Sequence, residues 1–385
     1  MRILFCSQAA YTGGGVETWL ESLSAALAAR GWDVVTGLAK GRFHDPERYA
    51  ERHRVLAPVA IDGTRGFLED RIRELVRLFE RVRPDVIFPV NLNDALLAAA
   101  YWKTRGADAR LAMCIHGQGE DRIGQARAFA PFLDLTASVS RRVADLAHAR
   151  HIPTGVPLPL RDTPPRERLQ RIAYIGRFDS DKRIRDLVPL VRALPELTFE
   201  LAGNGPDEPY LRDALAGANV TFHGQLSRDA LYESIYPNID AIVVFSGAET
   251  GPIVAWEAML HGVVPVVSDY LGRREENVIR HGETGLVFPV GDVDEAARLI
   301  RAQTSPHELS QRARALPPAY TEAAFGDAWD AALRTAVQMP ARRGTAHDLP
   351  PLVSAGILAR LGLARLRRLL GRSFVHGDSG SEWPH

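Results

Sequence analysis

The chain has only two cysteines, Cys6 and Cys114, among its 385 residues. Both lie in apolar runs, and no CxxC or CxxH spacing surrounds either. A disulfide framework and a cysteine-based zinc site are therefore excluded, and both thiols read as small core residues of a reducing compartment. Net charge is also missing: Lys plus Arg and Asp plus Glu each number 47. No field of one sign draws the chain to nucleic acid, so that class of partner is excluded. No apolar run approaches the ~18 residues that span a bilayer. The opening run, MRILFC, stops well short of the ~7–15 apolar residues of a signal-peptide core, and reads as a first core strand.

What is there is ordinary globular material, 46% hydrophobic and 24% charged, enough for two cores. Domains run to ~100–200 residues, so two fit the length best. Strands are expected at Arg2–Ser7, near Trp32–Val35, at Asp85–Val90, Arg110–Ile115 and near Leu133–Ser138. Helical spacing lies between them, as in Val16, Leu20, Leu23 and Leu27. The Pro-rich stretch from Ile152 to Pro165 reads as a linker. The pattern then restarts, with strands at 171–176, 198–202, 220–222, 241–245 and 263–268 and helices at 184–194, 209–215, 231–236, 253–261 and 292–303. Alternating strands and helices predict an α/β chain with two doubly wound, Rossmann-like parallel sheets. The expected division is a first Rossmann-like domain at 1–158 and a second at 159–320. A helix at 321–338 would cross back, and a linker and basic tail would fill 339–385.

Three loops carry candidate chemistry. Thr12-Gly13-Gly14-Gly15 joins the first strand to the first helix, where glycines let backbone N–H groups approach a phosphate. It is not GxGxxG, and no acid ends the second strand, which weakens a dehydrogenase reading. Gly176-Arg177-Phe178-Asp179-Ser180-Asp181-Lys182 follows a strand, and its two cations can turn toward one diphosphate or stay solvated. Glu249 sits in a loop and Glu257 about one turn inside the next helix. Two carboxylates so spaced can grip hydroxyls on separate parts of one extended ligand; without the surrounding pattern they would read as a capping acid and a surface residue. His44, His53, His148 and His151 lie in polar stretches and are expected at the surface.

Glu249-x7-Glu257, followed by Ala258-Met259 and Gly262-Val263-Val264-Pro265, resembles the E-x7-E block of the retaining glycosyltransferases of family 4. GGGVE, His116-Gly117, GRFDSDK, Ala202-Gly203-Asn204-Gly205-Pro206, Phe222-His223-Gly224-Gln225-Leu226 and Glu283-Thr284-Gly285-Leu286 match in order over roughly residues 1–335. The resemblance implies the GT-B fold, two Rossmann-like domains facing across a cleft. It implies that Glu249 holds the donor sugar and Glu257 the nucleotide ribose, while Arg177 and Lys182 stabilise the departing diphosphate. His116 would approach the sugar, and Gln225 and Leu226 would lie near the base. Backbone near Gly14, Gly15, Gly205, Gly251, Ile253 and Val254 would add donors. No metal and no cofactor are implied; the co-substrate is a nucleoside-diphosphate sugar, UDP- or GDP-linked, and the acceptor a glycan, glycolipid or other envelope molecule.

Two features depart from the family. Glu249-Thr250-Gly251-Pro252 stands where Glu-Gly-Phe-Gly is common, so Pro252 removes an N–H. The tail, around Ile357 to Leu370, sorts leucines and arginines onto two imperfect faces. Such a helix fits an anionic membrane surface, or equally a docking site on protein. A cytoplasmic chain is expected, with the tail as its candidate peripheral contact at the inner face of the membrane. Two rival readings remain: an epimerase or hydrolase of nucleotide sugars on the same fold, and a non-catalytic nucleotide-sugar-binding scaffold.

Overall fold

A computed structural model describes residues 1–8, 15–40, 45–53, 55–62, 68–117, 119–304 and 306–350. Gly14, His44 and the basic tail at 352–385 lie outside the described residues. The chain divides into two compact units. Unit 1 comprises Met1–Ser138, Val143–Ile152 and the residues from Gly326 onward; unit 2 comprises Val139–Arg142 and Pro153–Phe325. The Pro-rich stretch after Ile152 is thus part of unit 2, and Thr163 within it and Arg166 just after it are buried there.

Unit 1 is built on seven strands: β1 (Arg2–Ser7), β2 (Asp33–Lys40), β3 (Pro58–Asp62), β4 (Val86–Val90), β5 (Arg110–Ile115), β6 (Leu135–Ser138) and β7 (Arg150–His151). Their order is β3-β2-β1-β4-β5-β6-β7 and every pairing is parallel. Side chains alternate across each strand, so a strand covered by helices on both faces must be apolar throughout. Leu4 and Cys6 of β1 pack with Leu75, Phe79, Ala95, Leu96 and Ala98–Ala100. Phe5 turns the other way, and its ring meets that of Phe88, which in turn meets Trp19 and Trp329 at centroid distances of 5.7 and 5.3 Å. Both cysteines are buried and neither forms a disulfide, as their apolar settings imply.

Unit 2 repeats the plan with β8 (Arg171–Ile175), β9 (Thr198–Ala202), β10 (Val220–Gly224), β11 (Ala241–Val244), β12 (Val264–Ser268) and β13 (Leu286–Phe288). The order is β10-β9-β8-β11-β12-β13, again all parallel. Ile172, Tyr174, Phe199, Leu201 and Val243 face one core, while Ala173, Ile175, Ala202, Ile242 and Val244 face the other. In both sheets the order reverses beside the first strand of the unit. That reversal opens a crevice beyond the strands' carboxyl ends, where open α/β sheets bind ligands.

Three strands escape the pattern reading. β3 begins with Pro58, lies at the sheet edge and buries only Ile61, and proline is tolerated in strands mainly at such edges. β7 has two residues and β13 three, too few to show a period. His53 is also not at the surface: it is 9% exposed, with Nδ1 2.8 Å from Glu21 Oε1 and its ring against Tyr49.

The loops after β8, β9 and β10 are stitched together. Gly176 donates to the Ala202 carbonyl, Phe178 to that of Asn204, and Gly203 to that of Gly224 at 2.7 Å. Gly203 has φ +145°, and a Cβ placed there would fall 1.8 Å from the Gly176 carbonyl oxygen. Gly203→Ala is expected to cost about 2–4 kcal/mol through backbone strain and the broken loop contact; a denaturant titration unchanged from the parent would refute this packing account.

Candidate functional site

In unit 2 the sheet reverses between β8 and β11. The loop after β8 carries Arg177 and Lys182, and the loop after β11 carries Glu249. The crevice rule therefore predicts that they meet, although 67 residues separate Lys182 from Glu249. They do: Lys182 Nζ donates to Glu249 Oε1 at 2.6 Å. The lysine side chain is 31% exposed and the glutamate 12%, so the pair sits at the mouth of the crevice with a route to solvent on the lysine side.

Local structure fixes the lysine. Asp179 caps the short turn Ser180–Lys182 by accepting from Lys182 N at 3.0 Å. The Tyr174 hydroxyl, reaching out of β8, donates to the Arg177 carbonyl at 2.8 Å. Its phenol is held above the usual range by burial and then by the Glu249 charge, so it stays protonated and keeps its O–H to donate. Arg177 is turned to its own loop, 3.0 Å from Asp179 and 3.9 Å from Asp181. Asp179 and Asp181 stand at D-x-D spacing, a pattern that metal sites use. Here Asp179 is engaged by the Lys182 amide and by Arg177, while the Asp181 side chain is 83% exposed.

The Glu249 loop ends in a tight turn. Gly251 has φ +148°, and an added Cβ would lie 2.5 Å from the Trp256 ring, so only glycine fits. Pro252 is buried and precedes the helix Ile253–Leu260. It has no N–H, and the Ile253 N–H is spent on the Gly251 carbonyl at 2.9 Å. The side chains of Ile253 and Val254 pack half-buried on the core, alongside Leu226. Gln225, exposed in the loop after β10, accepts from Asn204 Nδ2 at 3.2 Å, and Gly205 lies one residue beyond that asparagine.

Glu257 is only 2% exposed. Tyr236 donates its hydroxyl to Oε2 at 2.7 Å, and Arg228 Nε stands 3.5 Å from Oε1. Burial raises the Glu257 carboxyl, which Arg228 and Tyr236 partly offset. Neither Arg228 nor Tyr236 stands out in the sequence; the second is hidden in a stretch that reads as plain helix but forms a π-helical turn, Leu231–Ile235.

In unit 1, His116 follows β5 and its ring meets Trp19 edge-on at 4.5 Å. The residue is half-buried, but Nε2 is out of solvent reach. Burial, helped by Arg122, pushes its imidazole down to about 3 from 6.5. It is therefore neutral at ordinary pH, a hydrogen-bonding group and not a cation. The folded state refuses a proton that the unfolded chain accepts below pH 6.5, so stability should fall as pH drops from 6.5 toward 3. Urea unfolding of His116→Asn across that window should show a shallower acid loss than the parent; equal slopes would contradict the burial argument. Gly15 opens the helix Gly15–Ala29 and is exposed.

These elements match known families. Residues 13–158 match Glycosyltransferase Family 4, and residues 160–315 match Glycosyl transferases group 1. The chain has the fold of the GT-B glycosyltransferases. It is 29% identical over 197 residues to a glycogen synthase of Mycobacterium tuberculosis, spanning 49% of this chain and 47% of that protein. It is 28% identical over 148 residues to the lipopolysaccharide 1,6-galactosyltransferase of Salmonella typhimurium, 36% and 40% of the two chains. The chain spans about half the length of the curated relatives it matches. Among solved structures, Anabaena HepE in complex with UDP and glucose is similar in fold, with a TM-score of 0.70 at 19% identity over 87% of this chain and all of that one. Among the described residues no helix is long and apolar enough to cross a membrane.

Proposed function

We propose that this GT-B protein is a retaining, metal-independent glycosyltransferase. It moves a sugar from a nucleoside-diphosphate donor to a glycan, glycolipid or other envelope acceptor. The observation that carries the reading is the Lys182–Glu249 pair at the point where the unit 2 sheet reverses. The donor is UDP-linked in preference to GDP-linked, since similar folds have been solved with UDP or UDP-glucose.

Cleavage of the anomeric C–O bond puts positive charge on the sugar and negative charge on the diphosphate. Lys182 supplies a fixed cation to that diphosphate, and Arg177 turns from its loop acids to add a second, a role a metal fills elsewhere. Glu249, released from Lys182, accepts hydroxyls of the sugar and fixes the anomeric carbon. Charge placed before the reaction is worth most in the transition state. Glu257 holds the ribose, Gln225 and Leu226 border the base, and the neutral His116 hydrogen-bonds the sugar. In front-face attack the leaving phosphate takes the acceptor proton, so no glycosidase-type carboxylate pair is needed.

Incubation with UDP- and GDP-hexoses and a panel of sugar and lipid-linked acceptors, read by proton NMR of the product's anomeric signal, tests this. The same configuration as the donor is expected. An inverted product would overturn the front-face mechanism. Free sugar or an epimer without acceptor would favour hydrolase or epimerase chemistry, and binding without turnover a scaffold. The basic tail gives a separate expectation: deleting residues 352–385 should abolish cosedimentation with vesicles of anionic lipid, by about 1 kcal/mol per lost surface charge. Equal vesicle binding by the shortened chain would rule out an anchoring tail.

A further inference from the structure

The buried surroundings of Glu257 assign work to a residue outside the E-x7-E pattern. Tyr236 is fully buried and donates to one carboxylate oxygen, Oε2, at 2.7 Å. The other oxygen, Oε1, faces Arg228 Nε in an ion pair at 3.5 Å and has no hydrogen-bond donor among the described residues. A buried carboxylate oxygen without a hydrogen-bond donor is costly and calls for an explanation, of which a functional role is one.

Tyr236 can do only one thing here. Its phenol is raised well above the usual range, first by burial and then by the Glu257 charge, so it stays protonated and donates. The ring is locked from two sides: it stacks on His261 at 5.1 Å and meets Tyr232 edge-on at 5.5 Å. His261 in turn holds the Glu257 main chain, with Nδ1 2.8 Å from its carbonyl oxygen. The π-helical turn supports this arrangement, since its closing bond runs from Tyr236 N to the Leu231 carbonyl. Such turns are frequent at functional sites.

We propose that Tyr236 is a positioning residue for nucleotide recognition: by occupying Oε2 it fixes the Glu257 rotamer and reserves Oε1 for the ribose hydroxyls of a nucleoside diphosphate. This rests on the ribose role of Glu257. Because Oε1 lies under Arg228, whose side chain is 22% exposed, the ribose reaches it only when that side chain turns outward.

The test uses the full chain and calorimetric binding of UDP, GDP and their 2′,3′-dideoxy forms. Tyr236→Phe keeps the ring and removes one donor; it should weaken the tighter nucleoside diphosphate about five- to tenfold. It should weaken the dideoxy form much less, because the ribose hydroxyls are what the fixed oxygen accepts. A merely structural role would weaken both equally. Tyr232→Phe serves as the packing control. Its hydroxyl donates to the Pro157 carbonyl at 3.0 Å and not to Glu257, so affinity should hold. In the Glu257→Ala background, Tyr236→Phe should have no further effect. If Glu257→Ala binds as the parent does, the ribose reading itself fails and the proposal with it. If Glu257→Ala weakens binding but Tyr236→Phe does not, or weakens the dideoxy form as much, the Tyr236 proposal alone is overturned. Melting of each variant alongside the parent separates lost binding from lost fold.

Discussion

Glu249→Ala is expected to lower turnover by about 10²–10³-fold while leaving the fold intact, the range seen when a transition-state contact is removed. The expectation of an intact fold follows from the geometry. Glu249 pairs with Lys182, and that lysine is 31% exposed. Freed of its partner, Lys182 can turn to water, and partly exposed ion pairs contribute no more than about 1 kcal/mol. The loop's shape does not depend on the carboxylate, since Gly251, Pro252 and Trp256 set the turn. Steady-state rates beside a melting curve check both halves. Near-parental turnover would remove Glu249 from the mechanism, and a collapsed melting curve would make it a structural residue.

Lys182→Ala should weaken nucleoside-diphosphate binding about 10- to 100-fold, the scale of one charge-assisted contact to an anion. The lysine is paired with Glu249 at 2.6 Å, so the diphosphate has to compete with a carboxylate for it. That competition gives the two variants opposite signatures. Removing Glu249 releases Lys182, so diphosphate affinity should hold or rise while turnover falls. Removing Lys182 should lower both. Calorimetry with UDP and GDP at low and moderate salt distinguishes them; unchanged affinity in Lys182→Ala would break the link between the β8 loop and the diphosphate.

Much of the fold was legible because buried parallel strands are apolar on both faces. Arg110–Ile115 and Thr198–Ala202 have the bounds that their apolar runs suggest. The edge strands β3 and β7 were not legible, since β3 buries one side chain and β7 is too short for any period. His53 shows a different limit. Its polar neighbours imply solvent, yet a partner on another element, Glu21, takes it inward. At the candidate site the residue types were readable, because Arg, Lys and Glu in loops after strands are few. Their pairing was not. That Lys182 meets Glu249 while Arg177 turns to Asp179 depends on a cap and on a tyrosine hydroxyl from β8. The burial of Glu257 beneath Arg228 and against Tyr236 arises from a π-helical turn, which has no sequence period of its own.

The most direct test of the central claim is a thermal-shift panel of UDP- and GDP-sugars, each with magnesium and with a chelator, on the parent and on Lys182→Ala. A ligand that binds only the folded chain raises its melting temperature as concentration exceeds Kd. The account predicts stabilisation by one nucleotide sugar, equal with and without magnesium and largely lost in Lys182→Ala. A shift that requires magnesium, or none with any nucleotide sugar, would contradict it.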